Sequence, residues 1–113
     1  MKKPQKAILT EPLSSELTRL GERIRRFRLA RHLVQHEAAI RAGIARSTAS
    51  RIESGDPSVA IGQVLRYIDA IAPGKSFDQL YRDDDPAEAL LQHSERRVRA
   101  RSLSEGRKKE LDF

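Results

Sequence analysis

Arg46, Ser47, Ser50 and Arg51 fall on one side of a stretch with helical periodicity, while Ala45, Ala49 and Ile52 fall on the other. An arginine guanidinium can grip guanine through two parallel hydrogen bonds in the major groove of DNA, and a serine hydroxyl can meet any base edge. The opposite face is small and apolar, which lets a second helix cross closely. Those four polar residues are therefore candidates for contact with base edges.

The elements that must position them can be read on either side. The run Gln35 to Glu53, QHEAAIRAGIARSTASRIE, reads as two short helices with Gly43 between them. This is the pattern of a helix-turn-helix, with the second helix as reader. Upstream, Leu17, Leu20, Ile24 and Phe27 recur at helical spacing, so a first helix is expected from a cap at Ser14 to about His32. Downstream, Gly55 and Pro57 end the reader. Ile61, Val64, Leu65, Ile68 and Ile71 make an apolar stripe for a fourth helix, broken at Pro73-Gly74. Ser76 and Gln79 form a capping box for a short fifth helix carrying Phe77, Leu80 and Tyr81. The expectation is an all-α fold: a compact five-helix domain over residues 14–82, preceded by a flexible arm, 1–13, and followed by a charged tail, 83–113. In the tail, helix is expected over about Ala87 to Arg97, and disorder from Ser102 onward, where little apolar surface offsets ordering entropy.

Charge is segregated along the chain. Arg19 to Arg51 holds nine arginines and two acids, a balance of +7; Ile52 to Glu95 balances at −6; Arg96 to Lys109 balances at +6. The first basic block coincides with the reader, as a nucleic-acid footprint would. Arg19, Arg23, Arg25 and Arg26 cannot all face DNA, since they spread around the first helix, and Arg26 is taken as the one that meets phosphate. The chain has no cysteine and no tryptophan, so disulfides and thiolate metal sites are excluded and the core must be aliphatic. The basic N-terminus is followed by no apolar run, so neither a signal peptide nor a membrane span is expected, and the place is the cytoplasm. His32, His36 and His93 make no ligand set, so no metal or cofactor is expected. Without a glycine-rich phosphate loop, a nucleophile beside a base, or paired carboxylates in a pocket, the sequence reads as a non-enzyme.

These residues resemble the Cro/C1-type (XRE, lambda-repressor-like) helix-turn-helix family over roughly Leu20 to Arg82. The resemblance rests on LGERIRRFR, the pattern Q-x-E-x-A-x-x-A-G-I, the run RSTASRIESG and an aliphatic fourth helix. It implies that Gln35 contacts backbone phosphate, that Arg46, Ser47 and Arg51 face base edges, and that Arg28 and Glu53 pair between the first helix and the end of the reader. The chain departs from the family pattern at Val34 and Ala45, which stand where capping Thr, Ser or Asn is common, at Ala38 and Ala49, where larger aliphatics are usual, and at Asp56, whose charge opposes a phosphate contact.

More narrowly, SRIESGDPSVAIGQVLRYIDAI, the charged tail and the ending Leu111-Asp112-Phe113 resemble the HipB-type antitoxins that accompany HipA-type kinase toxins. That resemblance implies a homodimeric, autoregulating repressor of double-stranded operator DNA. It also implies a kinase partner, as one chain or two, engaged by Leu111 and Phe113. A free-standing XRE regulator without a toxin, or a scaffold with weak DNA binding, stays open beside it.

Overall fold

The computed structural model describes the backbone of residues 8–111 and the side chains of residues 8–103. In chain order come α1 (Glu11–Ala30), α2 (Gln35–Ala42), α3 (Arg46–Ser54), α4 (Ile61–Ile71), a 3-10 turn (Phe77–Tyr81) and α5 (Pro86–Leu111), with no strand among the described residues.

The first helix begins three residues before Ser14. Pro12 lies in its first turn, where a missing N–H leaves nothing unsatisfied. The Ser14 N–H donates to Thr10 O at 2.9 Å, so Ser14 is already inside the helix. Residues 11–13 of the expected arm therefore belong to α1, and residues 1–7 lie outside the described residues.

Three successive helices stop in the same way. Past α1, α2 and α3 the chain turns left-handed at His32 (φ 55°), Gly43 (φ 68°) and Gly55 (φ 80°). Each of these N–H groups bonds back to the last turn, to Leu29 O, Ile40 O and Ile52 O, each at 3.1 Å. The next N–H reaches one residue further back, as in Leu33 to Arg28 O at 3.3 Å. This Schellman arrangement satisfies carbonyls the helix leaves open and reverses the chain within two residues. It is why α1, α2 and α3 can fold back on one another through such short links.

Ile24 and Phe27 of α1 meet Ala38, Ala39 and Ala42 of α2, Ala49 and Ile52 of α3, and Val64, Tyr67, Ile68 and Ile71 of α4, with Leu80 closing the core. Burying a side chain such as Phe27 or Ile24 contributes about 1.5–3 kcal/mol. The apolar stripe of α4 is shifted from the expected one. Ile61 and Leu65 are 63% and 43% exposed, and Tyr67, absent from the expected set, is completely buried. The alanines at 38 and 49 are fully buried and belong to the same core as Tyr67.

The expected fifth helix is a 3-10 turn, with the Ser76 N–H donating to Gln79 Oε1 at 3.3 Å. Beyond it, α5 continues through the stretch expected to be disordered. Arg, Lys, Glu and Leu favour helix, and a helix already nucleated and docked at its first turns propagates without a new nucleus.

Candidate nucleic-acid interface

The reader, α3, divides cleanly. Thr48, Ala49, Ile52 and Glu53 are buried; Arg46, Ser47, Ser50 and Arg51 are exposed. Arg46, Ser47 and Ser50 make no side-chain hydrogen bond among the described residues. Arg51 Nε stands 3.9 Å from Asp56 Oδ2. The other oxygen of Asp56 accepts from Ser58 N at 2.8 Å and Ser58 Oγ at 2.6 Å, which fixes the turn after α3. Gln35 is the first residue of α2, and Val34 and Ala45 precede α2 and α3 in extended conformation with no side-chain cap.

The aim of α3 is set by contacts at its end. A Cβ on Gly21 would lie 2.5 Å from Glu53 O and 2.8 Å from Ile52 O, so only glycine lets α1 cross the last turn of α3 at this distance. Gly55 meets α1 in turn: a Cβ there would lie 2.7 Å from Leu17 O. Above this crossing lies a buried polar cluster. Glu53 accepts from Arg28 Nε at 2.7 Å, from Arg28 Nη2 at 2.9 Å and from the Tyr67 hydroxyl at 2.5 Å. Arg28 Nη1 donates to Leu33 O at 2.8 Å. One carboxylate thus ties α1, α3 and α4 together. Burial, followed by the hydrogen bond to Glu53, pushes the Tyr67 phenol far above its ordinary range. The hydrogen bond to Glu53 raises Arg28 further. From α4, Arg66 Nη2 donates to Ala42 O at 2.9 Å and Gly43 O at 3.0 Å, clamping the turn between α2 and α3.

Tyr67, Gly21 and Arg66 were not among the residues singled out from sequence. Tyr67 did carry a signal, standing three residues after Val64 and four before Ile71. Gly21 and Arg66 carried none, since what they touch lies far along the chain.

The basic block of α1 serves another purpose. Arg26 Nη1 and Nη2 hold the two Glu95 oxygens at 2.8 Å each, where a phosphate contact had been expected. Arg23 forks onto Glu88 at 2.7 and 2.8 Å and donates to Leu80 O. Arg31 forks onto Asp85 at 3.0 and 2.9 Å. These residues face α5 and the 3-10 turn. Arg26 and Arg28 are two positions apart, about 200° around the helix, so the face holding α5 is opposite the face holding α3. The acidic middle of the chain therefore neutralises the back of α1, and positive charge near the reader rests on fewer residues than the sequence total suggested.

A known family model covers the elements that build and aim this two-faced second helix. Residues 19–72 match the family model described as a helix-turn-helix domain. Over that segment the chain is similar to a helix-turn-helix domain. The match runs from the third turn of α1 through the end of α4, and it supports a DNA-binding regulator. No curated protein and no solved structure matches the chain. No helix among the described residues is long and apolar enough to cross a membrane.

Proposed function

We propose that the protein is a sequence-specific repressor that binds a palindromic operator as a homodimer, with Arg46, Ser47, Ser50 and Arg51 at base edges and Gln35 on phosphate. The observation that carries this reading is the reader's outer face, where all four side chains are exposed while the inner face is locked by Glu53. Arg26 is assigned to anchoring α5, because its fork is filled by Glu95. We infer further, from the HipB-like phrase and tail, that the repressor is the antitoxin of a HipA-type kinase and represses its own operon. Leu111 and Phe113 are proposed to seat in the kinase. Leu111 ends α5 with its side chain outside the described set, and Phe113 lies outside the described residues.

The test is a mobility shift of the DNA upstream of its own gene. Arg46→Ala and Arg51→Ala should each weaken specific binding by about 1–3 kcal/mol with helical content unchanged. Half-sites should lie about one helical turn, ~34 Å, apart. Wild-type affinity in both variants would remove α3 from the reading role. Co-purification with a kinase, lost on deleting Leu111 to Phe113 while operator binding persists, tests the partner.

A further inference from the structure

The two halves of α5 differ in what they touch. Its start is docked: Asp85, Glu88 and Glu95 hold Arg31, Arg23 and Arg26. From Arg96 to Leu103 every side chain is exposed, and Arg96, Arg97, Arg99 and Arg101 form no ion pair among the described residues. Both oxygens of Glu95, one turn before Arg99, are held by Arg26. At about 100° per residue, the four arginines lie at about 0°, 100°, 300° and 140° around the helix, so they occupy a sector of about 200° and leave about 160° without one. The apolar residues among them, Val98 and Leu103, are 59% and 67% exposed. They lie about 140° apart and form no stripe that a folded protein could bury. Exposed guanidinium groups across one broad side of the helix, with no apolar seam among them, suit a polyanion whose charges are spread along a ridge.

We propose that the exposed second half of α5 is an arm that contacts the phosphates of duplex DNA flanking the base pairs read by α3. This inference rests on α3 being a DNA reader. The protein measures 67 × 31 × 25 Å, and a helix of 26 residues is about 39 Å long, so α5 projects from the compact part. It lies on the far side of α1 from α3, one further helix layer of about 8–10 Å. Placed there it does not share the groove proposed for α3, and the contacts we assign to it are with phosphates outside that half-site. The segment 96–103 is about 12 Å long, which spans about three to four base-pair steps.

The experiment compares the full chain with the combined variant Arg96→Gln, Arg97→Gln, Arg99→Gln and Arg101→Gln, which keeps good helix formers. Mixed-sequence DNA duplexes of about 12 and about 30 base pairs, roughly one and three helical turns, serve as probes over a range of salt. Each phosphate neutralised contributes about 0.9 to the slope of log Kd against log salt, so the variant should lose about 2–4 from the slope on the long duplex. Its gain in affinity from the short to the long duplex should shrink relative to wild type. An unchanged slope overturns the arm while leaving α3 as reader, and wild type that binds neither duplex overturns both. Lys75→Gln with Arg82→Gln removes two exposed charges elsewhere; an equal loss of slope per charge there means bulk electrostatics and overturns the arm. If the variant keeps its slope but loses retention on a polyglutamate matrix, the helix serves an acidic protein surface and the DNA arm is wrong.

Discussion

Replacing Glu53 by alanine should come close to unfolding the domain. The carboxylate accepts three hydrogen bonds, two from Arg28 and one from Tyr67, and its side chain is 5% exposed. Glu53→Ala leaves the Arg28 guanidinium, 9% exposed, with only Leu33 O as acceptor. Removing one partner of a buried pair costs about 3–5 kcal/mol, because the remaining charge stays buried without its counterion. A small domain has about 5–15 kcal/mol in total, so the loss is a large fraction of it. Tyr67→Phe removes one bond to a charged acceptor and should cost less, about 1.5–3 kcal/mol. Joint replacement, Arg28→Met with Glu53→Leu, should recover much of the loss, since an apolar pair of similar volume needs no counterion. Glu22 is exposed and makes no side-chain hydrogen bond or ion pair among the described residues, so Glu22→Gln is the control and should change stability by less than about 0.5 kcal/mol. Asp69 would be a poor control, since its Oδ1 accepts from Gly74 N at 3.1 Å. Urea unfolding followed by circular dichroism gives all four values. A Glu53→Ala loss below about 1 kcal/mol, the range of an exposed pair, would refute the claim that this cluster fixes α3 against α1 and α4.

Gly21→Ala should destabilise by about 1–3 kcal/mol through the clash with the α3 backbone, whereas Gly62→Ala, with nothing within 4 Å, should be neutral or stabilise by up to about 1 kcal/mol; thermal melts of the two variants separate packing from propensity. Asp56→Asn removes a negative charge 3.9 Å from Arg51 and keeps an oxygen for Ser58, so operator affinity should rise about two- to fivefold in a titration at constant salt, for an interaction of up to about 1 kcal/mol in water. The Tyr67 phenol keeps its proton in the folded state, while the unfolded chain releases it near the ordinary phenol value of 10.0; stability should therefore be level below that pH and fall above it, and Tyr67→Phe should flatten the fall in an alkaline series of urea melts. The hydrogen bond from Arg26 holds the Glu95 carboxyl below its usual range, so its contribution to docking α5 is present above the unfolded value and lost as pH falls through the folded one; the distance between labels on α1 and α5 should lengthen in acid before the core melts.

The parts of the fold that were legible in the sequence are those specified locally. Gly43 and Gly55 marked the ends of α2 and α3 because left-handed backbone there demands glycine, and α3's two faces followed from its period. His32 adopts the same conformation without being glycine, so the end of α1 carried no equivalent marker. Ile61 and Leu65 were placed in the apolar stripe of α4 by their spacing, but the buried face is turned towards Val64, Tyr67, Ile68 and Ile71, which periodicity alone does not fix. Arg23, Arg26 and Arg31 looked like free charge because their partners are 54 to 69 residues away along the chain. No spacing rule reveals a pair at that separation, and only the folded chain shows that α1's back surface is a dock for α5.

The division of α3 has an evolutionary consequence. The four residues on its outer face share no hydrogen bond with the cluster that fixes its inner face. Recognition and folding are therefore written in separate alphabets on the same nine-residue helix. With the proposed base contacts, replacing Arg46, Ser47, Ser50 or Arg51 would move the protein to a new DNA sequence with little effect on stability, so duplicated copies would diverge to different promoters without a compensating change in the core. Arg51 is the partial exception, because a change there also alters the charge balance around Asp56. Retargeting this scaffold would thus begin at Arg46, Ser47 and Ser50, and treat Arg51 and Asp56 as a pair to be exchanged together.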